Sequence, residues 1–129
     1  MIVLDSNIWI ASFDRSDSTH AEAEAVFEEL EQQKEVVIVP EYILLETVTM
    51  INRLVGKKQS DVFLGLVFNT DGVEVLPSTP DFLEEVVTAY MRYNTKRFSF
   101  ADVSLIVLSL EFTVYTFDQH LRKEIARVK

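Results

Sequence analysis

The chain has 129 residues, 48% of them hydrophobic and 26% charged, which bounds it to one domain (residues 1–129) with a core able to bury roughly two thirds of its unfolded surface. It contains no Cys and only two His, so disulfides, thiolate centres and Cys/His zinc sites are excluded, and any metal must be held by oxygen. The formal charge of -9 sits in the first half: residues 1–50 hold eleven acids against Arg15 and Lys34, whereas residues 51–129 balance ten against ten, a distribution unlike that of a tight, sequence-blind nucleic-acid binder.

Met1 to Leu4 is apolar but is broken by Asp5, with no basic segment ahead of it, so no signal peptide is expected. Val103 to Leu110, the longest apolar run, is far short of the ~20 residues of a membrane-spanning helix, and a cytoplasmic location without membrane contact is expected. No repeat, linker or Gly-rich phosphate loop interrupts the chain, which disfavours nucleotide-cofactor folds.

The first predicted strand is Ile2 to Leu4, and Asp5 follows it directly in Leu4-Asp5-Ser6-Asn7. Thr19 and Glu22 are spaced for a capping box ahead of a helix over Ala21 to Gln33, with Val26, Phe27 and Leu30 inward and Ala25, Glu28 and Glu29 solvated. Val36 to Val39 is the second strand; Pro40 then stands as a first helical residue before Glu41 to Val55. In that helix Leu44, Val48, Ile51 and Val55 share a face, and Glu46 lies nearly opposite, beside Tyr42, Thr49 and Arg53. A short helix over Gln59 to Phe68 precedes a third strand, Val73 to Leu76; Thr79 and Pro80 then introduce a helix over Asp81 to Tyr93. Ser99 opens Phe100 to Leu110, a helix so apolar that it belongs in the middle of the protein. The fourth strand, Thr113 to Phe117, ends at Asp118, and the last helix follows. Strands this continuously apolar, alternating with helices, predict an α/β fold with a mainly parallel sheet covered on both faces.

Four acids draw the eye for chemistry. Asp5 and Asp118 each follow a strand, where ligands of parallel sheets bind, but each also stands where a helix N-cap would. Asp102 lies in the first turn of the most apolar helix and needs either a capping box with Ser99 or a cation to offset its burial. Glu46 is not a core residue, and its face either lines a cleft or meets water. If three or four carboxylates do share a cleft, a hard divalent ion would offset their repulsion and activate water for in-line attack on phosphorus, with no protein nucleophile needed. His20 and His120 have ordinary explanations as helix-start residues. The cationic groups Arg53-Lys57-Lys58, Arg92-Lys96-Arg97 and Arg122-Lys123-Arg127 read singly as solvated helix ends, with Lys96 and Arg97, just before Asp102, the pair expected to meet phosphate.

Taken in order, Val3-Leu4-Asp5-Ser6-Asn7, Pro40 to Glu46, Phe100 to Ile106 and Tyr115-Thr116-Phe117-Asp118 resemble the PIN-domain family over essentially the whole chain, in the size and motif order of single-domain VapC-type toxins. The resemblance implies a three-layer α/β/α sandwich and an endoribonuclease using magnesium or manganese on single-stranded RNA. It makes Asp5, Glu46, Asp102 and Asp118 the catalytic and metal-holding set, with Ser6, Asn7 and Thr116 as polar substrate-side neighbours. It further implies a homodimer restrained by a cognate antitoxin, the toxin half of a type II toxin–antitoxin pair. Leu121 where an aromatic is frequent, the lack of glycine at Glu111-Phe112, and Val103 after Asp102 depart from the usual pattern. The competing expectation is a catalytically inactive PIN-like module that binds RNA or a protein. An aspartyl phosphatase would need a second Asp where Asn7 stands, and a receiver domain would need a paired Lys that is not evident.

Overall fold

A computed structural model describes residues 1–129. Short strands alternate with helices along the chain: β1 (Ile2–Leu4), α1 (Ser6–Phe13), α2 (His20–Gln32), β2 (Val37–Pro40), α3 (Glu41–Leu54), α4 (Lys57–Asn69), β3 (Val73–Leu76), α5 (Pro80–Arg92), α6 (Phe100–Leu108), β4 (Thr113–Tyr115) and α7 (Gln119–Val128). The four strands pair in the order β3-β2-β1-β4, all parallel, so the expected parallel sheet with flanking helices is observed as a three-layer α/β/α arrangement. Ile2 and Val3 of β1 pair with Val37 and Ile38 on one side and with Thr113 and Val114 on the other. Both β1 and β2 are buried throughout, which explains their unbroken apolar character.

Helices α1, α2 and α4 are joined by aromatic contacts: the Trp9 ring lies 4.9 Å from Phe27 and 5.4 Å from Phe63, and Phe13 meets Phe63 edge-on at 5.9 Å. Helix α6 is buried along most of its length, as its composition requires. Its buried Ser104 donates its hydroxyl to Ala101 O, and Ser109, just beyond it, donates to Ile106 O, both at 2.6 Å, so burial leaves neither unpaired. Between α3 and α4, Gly56 takes φ of 126°, a conformation that a side chain would strain, and so permits the tight reversal between the two packed helices.

Apart from small shifts in where elements end, local expectations depart from the structure as follows. Thr19 makes no capping box: its amide and hydroxyl both go to Asp17 Oδ1, at 2.8 and 2.7 Å, a local turn that outcompetes the helix amides. Pro40 ends β2 and precedes the first helical residue, Glu41, whereas Thr79 caps Phe82 N with Pro80 at the helix start as expected. Strand β4 stops at Tyr115, because Thr116 and Phe117 turn into the loop that carries Asp118. In α3 the fully buried row is Ile43, Thr47 and Ile51, not the Leu44–Val48–Val55 face; Leu45 and Val55 are exposed and Leu44 and Val48 are half-buried.

Candidate active site

The carboxyl ends of parallel strands form one edge of the sheet, and β1 and β4 are neighbours there. Asp5 leaves β1 with its amide bonded to Tyr115 O at 2.9 Å and caps α1, its Oδ1 accepting Ser6 N at 2.7 Å and Ser6 Oγ at 3.3 Å. The carboxylate is 4% exposed, and its Oδ2 accepts the Thr116 hydroxyl at 2.7 Å. That hydroxyl in turn accepts from Asn7 Nδ2 at 3.2 Å and from Asp118 N at 3.0 Å, while Asn7 Oδ1 accepts Phe117 N at 3.3 Å. Residues 111 apart in the chain are thus tied into one network.

Asp118 caps α7, its Oδ1 accepting the amides of His120 and Leu121 at 2.8 and 3.1 Å. Asp102 completes a capping box with Ser99: Oδ2 accepts Ser99 N at 2.9 Å and Ser99 Oγ accepts Asp102 N at 3.0 Å. For Asp5, Asp102 and Asp118 the cap reading is therefore met, yet the caps leave room for chemistry, since each occupies one oxygen of Asp102 and of Asp118. Glu46 reaches the same region from α3; its Oε2 is buried with no hydrogen-bond partner.

Burial and charge act on these carboxyls together. Burial pushes the Asp5 carboxyl above its ordinary value against the opposing Thr116 hydrogen bond, and the charge of Asp102 adds to the rise. Glu46 is raised by burial, then by Asp5 and Asp102. Asp102 is raised by burial against its bonds to Ser99, with Asp118 contributing repulsion. Asp5, Glu46 and Asp102 thus repel one another, and Asp118 joins the set through Asp102. Glu46, doubtful from periodicity, joins them because the true buried row of α3 lies one position away, at Thr47. As the side chains stand, no three His, Asp or Glu groups close around a single point as a metal cage. The donors are nonetheless all hard oxygens, and one is a buried acceptor without a partner, which fits magnesium or manganese and no softer metal.

Ser6, Asn7 and Thr116 lie within this network, the Thr116 hydroxyl fully engaged inside the protein and Asn7 keeping one Nδ2 hydrogen free. Lys96 and Arg97 sit exposed in the α5–α6 loop just before Ser99. Arg122, grouped in the sequence with Lys123 and Arg127 as a solvated helix end, instead donates Nη2 to Thr116 O at 2.8 Å and braces the same loop. Its position four residues after Asp118, one helical turn along α7, is the signal that was available. His20 bridges α1 and α2, Nδ1 lying 2.6 Å from Ala11 O and Nε2 2.8 Å from Glu24 Oε1, and His120 is exposed. A groove of about 1330 Å³ runs between α5, α6 and α7, and none of the four acids lines it.

Against known proteins, the profile of the PIN domain matches residues 2–125. The chain belongs to the PIN domain family. Its fold is similar to that of VapC20 of Mycobacterium tuberculosis, a toxin that cleaves the sarcin–ricin loop, with a TM-score of 0.78 and 26% identity over 95% of this chain and 94% of that one. FitAcB from Neisseria gonorrhoeae shares the fold at a TM-score of 0.62 and 17% identity, over 98% of this PIN chain and 94% of its own. No curated protein sequence matches significantly.

Proposed function

We propose that this PIN protein, residues 1–129 working as one domain, is a divalent-metal-dependent endoribonuclease and the toxin of a type II toxin–antitoxin pair. The observation that carries the reading is that Asp5, Glu46 and Asp102, from three separated segments, repel one another, with Asp118 acting on Asp102, while one Glu46 oxygen is buried and unpartnered. The likeness to a toxin that cleaves RNA at the sarcin–ricin loop supports it.

In this reading the four carboxylates hold magnesium or manganese, which supplies a Lewis acid to the phosphodiester and makes a water more acidic. The protein's own contribution is placement. Thr116 and Ser6 orient Asp5; Asn7 and Arg122 hold the Thr116–Asp118 loop; Ser99 fixes Asp102. Ser6, Asn7 and Thr116 thereby act on substrate through the acids they position. Lys96 and Arg97 meet backbone phosphate. An antitoxin would be the physiological restraint, and the protein would work as a homodimer. No helix is long and apolar enough to cross a membrane, and we place the activity in the cytoplasm.

The alternative, an inactive PIN-like module binding RNA or a protein, is favoured by the caps that engage Asp5, Asp102 and Asp118. The deciding experiment incubates structured and unstructured RNA with magnesium, manganese or a chelator. Cleavage that needs the ion and vanishes in Asp102→Asn, whose amide oxygen can still accept from Ser99, is expected. RNA left intact under every condition would favour the inactive module.

A further inference from the structure

Tyr42 stands one turn before Glu46 on α3, and Phe100 opens α6 two residues before Asp102. Their rings meet edge to face, with centroids 5.4 Å apart and planes at 83°. Phe82 stacks with Tyr42 at 6.1 Å, and Tyr90 of α5 tilts against Phe100 at 5.7 Å. An aromatic row from three helices therefore starts beside two of the acids and runs out to α5. Tyr42, Phe82 and Phe100 are half-buried, and their packing alone would account for them; Tyr90, at the end of the row, is 44% exposed. The loop that follows α5 carries Lys96 and Arg97, both exposed and neither paired with a carboxylate.

We infer that this row is a stacking step for one unpaired RNA base beside the phosphate addressed by the acids, with Tyr90 as the ring on which the base rests. Single-stranded RNA is bound by aromatic faces that accept splayed bases and by cations that follow the backbone, and here an exposed ring packed on Phe100 and two free cations belong to the segment that leads into Asp102. Tyr42 and Glu46, four apart, share a side of α3, so the row and the acid cluster are fixed relative to each other by helix geometry. A base inside a duplex has no free face to offer, so the step selects unpaired nucleotides. The proposal rests on the ribonuclease reading of the acids.

The test separates the two. Single-stranded RNA carrying the fluorescent base 2-aminopurine at successive positions is titrated with protein in chelator, where no cleavage is needed. Wild type and Tyr90→Phe are expected to quench one position strongly; Tyr90→Ala, checked for fold by circular dichroism, should lose that quench and bind about five- to a hundredfold more weakly. With magnesium or manganese present, Tyr90→Ala should raise KM and leave kcat nearly unchanged. Wild type should also discriminate against RNA with an abasic site at the quenched position, and the variant should not. Quenching and affinity identical in wild type and Tyr90→Ala at every position would overturn the stacking step while leaving cleavage intact. Tyr90-dependent quenching without any cleavage by wild type would instead remove the ribonuclease reading and keep the step.

Discussion

The proton of the Thr116 hydroxyl has only one place to go. Asn7 Nδ2 and Asp118 N both donate to that oxygen, so it must donate to Asp5 Oδ2, and it therefore stabilises the charged form of a carboxylate that burial disfavours. Thr116→Val should cost about 1–3 kcal/mol in denaturant unfolding and abolish divalent-ion binding by calorimetry, while Thr116→Ser should retain most of both. The raised carboxyls of Asp5, Glu46 and Asp102 set a pH dependence. Between the unfolded carboxylate values and the raised folded ones, the native state holds more protons than the unfolded, so stability falls as pH rises through that window and remains lower above it. Unfolding in chelator should accordingly show a loss of stability as pH rises above the ordinary carboxylate range, flattened in Asp102→Asn; adding magnesium at neutral pH should restore it in wild type only. That Asp5 and Asp118 come together was legible because a parallel sheet sends its strand ends to one edge. The hydrogen bonds of Asn7 and Thr116 were not, since they join residues more than a hundred apart.

Helix α3 shows where periodicity misleads. Its apolar residues are spread over more than one side because α1, α4 and α6 all pack against it, so the row Leu44–Val48–Ile51–Val55 looked like the buried face. The fully buried row instead includes a polar residue, Thr47, which no hydrophobic pattern would select. Its hydroxyl is buried without a partner. Thr47→Val, nearly the same shape, should therefore stabilise the protein by about 1 kcal/mol in urea unfolding; a destabilisation would mean that the hydroxyl is engaged. Elements with one clear environment were read closely from sequence: β3 matches residue for residue, and α6 was placed in the interior from its composition alone. Element ends were less legible, as at Leu108 and Tyr115, because side-chain bonds and turns decide where a helix or strand stops.

Across the whole molecule the acidity of the first half leaves RNA engagement to few cations. Replacing Lys96 and Arg97 together with Ala should weaken RNA binding and flatten its dependence on salt, with the slope of log affinity against log salt falling by about one or two. The sheet also has an asymmetry: β4 is an edge strand of three residues held on one side only, yet the loop it feeds anchors Asp5 and carries Asp118. Detaching that short edge would disarm the acid cluster while the aromatic interior around Trp9 stayed folded. Loss of function would then require much less free energy than melting. Amide exchange at Val114 and Tyr115 should be faster than at Val3 and Val39, and a ligand that pries the edge loose would switch off the proposed nuclease without touching the acids themselves.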